Sequence, residues 1–189
     1  MRRLLAKLEG AGSLDGVADR LRRVAGATFG KGRLGSALHG TPWFGHPLHP
    51  ALVQFPVGAW MSTAVLDLLP GTERPAAALL TVGTAAAVPA LATGLADYTT
   101  LSREQRRVAL VHVGANTAAF GLFVASIAAR ARGDHSRGRT LSFAGLGLAG
   151  LGAYLGGHLA FSQAAGVGPD VRQALREEQR EEAPEPALP

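Results

Sequence analysis

Two stretches decide what this chain can become. Residues 108–129 and 140–169 contain no Asp, Glu, Lys or Arg. A helix that is apolar on every face needs either a deep protein core or a bilayer around it, and a chain of 189 residues is too short to bury several such helices in structure of its own. Two more blocks have nearly the same character: about 51–69, interrupted by Gln54 and Asp67, and about 75–96, which carries Pro89. Each block is close to the roughly 20 residues that cross a ~30 Å hydrocarbon core. The links between them (Pro70 to Arg74, Asp97 to Arg107, Arg130 to Arg139) are short, so consecutive helices run antiparallel. The expected fold is all-α, an integral membrane four-helix up-down bundle with spans at about 51–69, 75–96, 108–129 and 140–161.

The charges agree with a membrane setting. Only 17% of residues are charged, where soluble domains carry about 25%. The net charge of +5 rests on basic residues in loops and tails, with no basic stripe along one element, so head groups rather than nucleic acid are the expected partner. The chain has no Cys, which excludes a disulfide framework, cysteine-ligated zinc and an iron–sulfur centre within it. The apolar run at the N-terminus is broken by Lys7 and Glu9, so no cleavable signal is expected. Eight basic residues precede the first span, three stand in the second link and three in the tail, against five on the opposite side. That asymmetry places both termini in the cytoplasm and the protein in the inner (plasma) membrane.

The domain plan has three parts. Residues 1–38 are polar and hold one short amphipathic helix, with Leu14, Val17, Leu21 and Val24 at helical spacing and Ser13 as its cap. This helix is expected outside the bundle, on the membrane surface or against a neighbour. Residues 39–169 form the four-span domain. The charged tail, 170–189, ends in prolines and is expected to be disordered.

Ionisable groups at membrane depth are costly and therefore informative. In Gly45-His46-Pro47-Leu48-His49-Pro50, each His precedes a Pro, which favours extended backbone. A polyproline-like repeat of three residues would point both rings the same way. Pro50 suits the first turn of a helix, making this segment the mouth of the first span. Counting ~1.5 Å per residue brings Asp97, His112 and His158 back to that level on the other three spans. His46, His49, Asp97, His112 and His158 are therefore expected in one layer on the side of the termini. Asn116 shares a helix face with His112, and Tyr154 with His158. Asp67 lies about 27 Å from His49, so an ion pair with Arg74 or an arginine of the third link is expected for it, its charge reaching the interface. His135, in that arginine-rich link, is expected only to be solvated. Pro56 and Pro89 are expected to kink their spans, and Gly152-x-x-x-Gly156 to bring helices close.

These motifs carry a resemblance. Leu38-His39-Gly40, the run Gly45 to Trp60, Ala92 to Asp97, the Arg106–His112–Asn116 stretch and Tyr154 to Leu159 resemble, in that order, the domain-of-unknown-function 2231 family. The likeness covers roughly residues 36–170 and implies a four-helix integral membrane protein. Some members of that family are fused to a Rieske iron–sulfur domain, which implies a Rieske protein as a redox partner.

Three functions stay open. The layer is a hydrogen-bonded lock in a small structural or partner subunit. Or it holds haem b, with His112 and His158 as ligands and Asn116 and Tyr154 beside them, in a membrane electron carrier. Or it binds a transition-metal ion through His46, His49, Asp97, His112 and His158. No nucleophile–base pair or phosphate loop is present, so stand-alone catalysis is not expected.

Overall fold

A computed structural model describes residues 2–30 and 32–167. Among these the chain is helical, without strands. The helices are α1 (Arg2–Glu9), α2 (Asp15–Thr28), α3 (Gly32–His39), α4 (Thr41–Phe44), α5 (His49–Leu52), α6 (Gln54–Leu66), α7 (Glu73–Tyr98), α8 (Arg103–Ala131) and α9 (His135–Gly157). A 3₁₀ turn, Gly12–Leu14, precedes α2, and a π turn, His158–Ser162, continues α9. The tail expected to be disordered lies outside the described residues.

Three segments, Glu73–Tyr98, Arg103–Ala131 and His135–Ser162, are long and apolar enough to cross a membrane. No more than 39% of the most apolar window of each is buried inside the protein, so the remaining apolar surface faces lipid. These helices outrun the apolar blocks because their charged ends are capped. Ser102 and Gln105 form a reciprocal capping box at the start of α8, and the Asp134 side chain accepts from the Arg137 N–H at the start of α9. His135 therefore opens a helix instead of standing in a solvated link, and its Nδ1 is buried without a partner among the described residues.

The first block differs from expectation. It is two helices, α5 and α6, with a break at Val53, and neither alone has spanning length. Pro56 has no N–H to offer the Leu52 carbonyl, so the ladder fails there. A new helix starts at Gln54, and Pro56 then sits in its first turn, where no donor is needed. Gln54 donates to the Pro50 carbonyl, not to Leu52. Pro89, in contrast, lies inside an unbroken α7.

The packing pairs are α6 with α7, α7 with α8, α8 with α9 and α6 with α9. Their central core contains Trp60, Leu80, Ala87, Ala119, Phe123 and Ala149, with the Trp60 and Phe123 rings stacked at 4.2 Å. Gly145 makes room for the Phe123 ring, which a Cβ would meet at 3.0 Å. Below this core lies a bidentate ion pair. Arg130 Nη1 and Nη2 donate to Asp67 Oδ1 and Oδ2 at 2.8 and 2.6 Å, and the two side chains are only 2% and 3% exposed. Arg130 also donates to Ser126 Oγ, whose hydroxyl donates to the Gly138 carbonyl. The expectation of a pair that snorkels to the surface is corrected: this one is internal, and Arg74 stays exposed.

At the opposite end, the N-terminal segment docks on the helices. It holds three helices where one was expected. Leu5 of α1 joins Tyr98, Val108, Leu155 and Leu159 in a second core. Arg107 grips Asp15 at 2.7 and 2.9 Å and also bonds the Glu9 carbonyl, while Arg106 bonds Asp19 at 3.0 Å. The Tyr98 hydroxyl reaches the Ala18 carbonyl. Ser13 makes no cap, since the 3₁₀ turn occupies that position. The inward face of α2 is only partly the expected one: Leu21 packs against this second core, but the valines do not. Ala18 and Ala25 are 1% and 2% exposed, whereas Val17 and Val24 are 59% and 60% exposed. The small Ala side chains let α2 lie close on α7 and α8, and each valine, one residue earlier in the helix, turns outward.

Two outcomes follow from these contacts. Asp67→Asn leaves the Arg130 charge buried without its counterion and should cost about 3–5 kcal/mol, whereas exposed Arg74→Ala should change little; unfolding in detergent measures both. The Arg107 hydrogen bond holds the Asp15 carboxyl below its ordinary value of 3.8. Its contribution is complete above that value and is lost as pH falls through the lowered folded value. Hydrogen exchange of residues 2–28, corrected for intrinsic rate, should therefore hold level from pH 7 to about 4 and speed up below it; Asp15→Asn should exchange faster already at pH 7.

Candidate functional site

The polar residues of the sequence layer all stand at the end formed by the C-terminus of α7, the N-terminus of α8 and the C-terminus of α9. They occupy two tiers. His49 and His112 form the deeper one, with ring centroids 6.2 Å apart and planes at 87°. His49 Nδ1 bonds the Ala90 carbonyl of α7 at 2.8 Å, and His112 Nδ1 bonds the Gly152 carbonyl of α9 at 2.7 Å. A carbonyl oxygen only accepts, so both rings carry their proton on Nδ1 and present a lone pair at Nε2. Asn116 donates to the His112 carbonyl at 2.9 Å and stands 3.3 Å from His112 Nε2.

Glycines shape the sockets for these side chains. A Cβ on Gly94 would stand 2.8 Å from His49 Cε1. One on Gly156 would stand 3.1 Å from His112 Cε1, and one on Gly152 would meet the Asn116 amide at 2.5 Å. The Gly152–Gly156 pair thus brings α8 and α9 close, and what it admits between them is a polar layer.

The outer tier is about 10 Å away, as Asp97 is seven residues beyond Ala90. There Asp97 Oδ1 meets His39 Nδ1 at 2.9 Å, and Glu9 Oε1 meets His158 Nε2 at 2.7 Å. Gln163 also donates to Glu9 Oε1, and Gln105 to the Gln163 carbonyl. His39 and Glu9 were not among the expected site residues. Both precede the first span, Glu9 at the end of α1 and His39 at the end of α3, and their partners lie 149 and 58 residues away, beyond the reach of any periodicity.

His46 and His49 do not face the same way. The chain enters a helix at His49, which ends the three-residue repeat, so His49 turns inward while His46 stays exposed and bonds its neighbour's carbonyl, Pro47. Tyr154 is 44% exposed, on the outside of α9. Of the proposed haem ligands, His112 faces His49, and His158 is taken by Glu9. Among the described residues no three His, Asp or Glu side chains stand close enough together to hold a metal ion.

The comparisons agree with the membrane reading. No curated protein and no solved structure matches the chain. The family model described as "Predicted membrane protein (DUF2231)" matches residues 45–169, which takes in α5 to α9, the His49–His112 tier and the π turn. With most of its length covered by that model, the chain belongs to the domain-of-unknown-function 2231 family.

Proposed function

We propose that this membrane protein is a small structural or partner subunit whose histidine layer locks one end of a four-span bundle. In this reading α5 and α6 together make the first span, both termini lie in the cytoplasm, and the bilayer is the inner (plasma) membrane. The observation that carries it is that the histidine of each link is committed to an acceptor on another element. His49 joins α5 to α7, His112 joins α8 to α9, His39 joins α3 to α7, and His158 joins the π turn to α1. In a low-dielectric layer such bonds fix which helices are neighbours, because the alternative is an unpaired polar group in lipid. A rigid layer of this kind suits a subunit that holds a partner, and the family likeness suggests a Rieske protein for that role. Stand-alone catalysis is no part of the proposal.

One observation favours a second reading. The Nε2 lone pairs of His49 and His112, the latter within 3.3 Å of the Asn116 amide, belong to rings whose centroids are 6.2 Å apart, and Nδ1–H bonds to carbonyls are the usual support for ligating imidazoles. On this geometry the ligands of haem b or of a transition-metal ion would be His49 and His112, not His112 and His158. His46 and Asp97 would take no part.

The visible spectrum and metal content of the detergent-purified protein separate the two. The lock predicts a colourless, metal-free protein in which His49→Ala or His112→Ala removes one hydrogen bond between helices and costs about 0.5–1.5 kcal/mol, with His135→Ala as a neutral control. A Soret band or a stoichiometric metal that disappears in both variants would overturn it and establish the ligand pair.

A further inference from the structure

Between α2 and the turn joining α7 to α8 lies a cleft of about 710 Å³ that the histidine layer does not use. Arg22, Arg23, Arg103 and Arg106 line it, with Asp19 as its one carboxylate. Arg106 is buried and held by Asp19 at 3.0 Å and by the Leu101 carbonyl at 2.8 Å. Arg22 is pinned through Nε to the Thr99 carbonyl at 3.1 Å, which leaves its two Nη groups for another acceptor. Arg23 and Arg103 are exposed and meet no carboxylate among the described residues. The walls therefore carry a surplus of three positive charges, on Arg22, Arg23 and Arg103, the first of them on a guanidinium already fixed by the backbone. Gly26 contributes no side chain to the floor, so the space stays open.

We infer that this cleft binds a phosphate group, and that its source is the head group of an anionic phospholipid. Guanidinium forks match phosphate oxygens two at a time, and converging arginines make a site out of what single ones would leave as surface charge. The volume falls within the range of small-ligand sites and exceeds what a lone phosphate needs. Position argues for lipid. The cleft opens where two membrane-spanning helices end, and the neighbouring face of α2 carries Val17 and Val24, 59% and 60% exposed, without protein cover. A helix with alanines on the spans, valines outward and arginines between them is built to lie at the head-group level. The inference does not depend on what the histidines do.

The test uses the full-length protein. Native mass spectrometry after release from a bilayer of equal parts phosphatidylglycerol and phosphatidylcholine should show phosphatidylglycerol retained preferentially. Arg23→Ala with Arg103→Ala should weaken that retention about fivefold per arginine, on the order of thirtyfold together, with helix content unchanged; Arg2→Ala with Arg3→Ala, away from the cleft, should not. Should the alanine pair fail to fold, Arg23→Gln with Arg103→Gln keeps most of each stem and is read in the same way. A second arm adds inorganic phosphate to delipidated protein. A thermal shift that the double variant loses, without lipid selection, keeps the phosphate site and overturns the lipid source. No selection and no shift, or selection equal in the double variant, overturns the site.

Discussion

The buried pair of Asp67 and Arg130 sets the register from which the rest of the structure is measured. It joins the residue that ends α6 to the last turn of α8, and Ser126 carries the contact on to Gly138 of α9. Two charges taken out of water are tolerated only in near-perfect geometry, so a slip of one residue in any of these helices is prohibited. Helices are stiff, with a fixed rise, so a register fixed here is transmitted along α8 and α9 to the other end. That is how His112 arrives opposite the Gly152 carbonyl and Asn116 opposite the missing side chain of Gly152. The polar layer at the terminal end is thus the second fixed point of the same rods, and the apolar contacts between them fill space without choosing among registers.

The polar contacts also explain where the glycines sit. In lipid, helix association gains little from the hydrophobic effect and depends on close packing and hydrogen bonds. An imidazole donates across a helix pair only if the facing backbone comes within about 3 Å. Gly94, Gly152 and Gly156 are the positions where a Cβ would stop that approach. Gly147 and Gly150, on other faces of α9, have nothing within 4 Å and no such role. The glycines of this helix therefore include some that seat a side chain of α8 and some, Gly147 and Gly150, whose space no described residue uses.

What the sequence disclosed follows from the same physics. Helices α7, α8 and α9 were legible because a span is a local property: twenty apolar residues suffice to define it. That His49, Asp97, His112 and His158 stand at one end of the helices was legible because rise per residue does not depend on neighbours, but the count placed in one layer what the structure divides into two tiers about 10 Å apart. Lateral order was not legible, since counting gives depth but not azimuth. His112 therefore meets His49, while His158 turns to Glu9. The break at Val53 was signalled by Pro56 but read as a kink, because whether a proline bends a helix or starts a new one depends on how the freed Leu52 carbonyl and its surroundings settle. The docking of the N-terminal segment was hidden for a different reason. Its helices are too short to be stable alone, and what orders them, Arg107 on Asp15 and His158 on Glu9, spans 92 and 149 residues of sequence.

The distribution of charge at the terminal end completes the argument. Glu9, Asp15 and Asp19 all lie in the N-terminal segment, and each meets a basic or imidazole group of the helices below. The segment supplies the counter-charges that let Arg106, Arg107 and His158 sit where the spans leave the membrane. Its own arginines, Arg22 and Arg23, then find no unengaged acid within the segment and line the cleft together with Arg103. Neutralisation inside the protein and surplus positive charge at its rim are two consequences of one arrangement. The acids of the segment turn onto α8 and the π turn, so Arg22 and Arg23 are left to line the cleft.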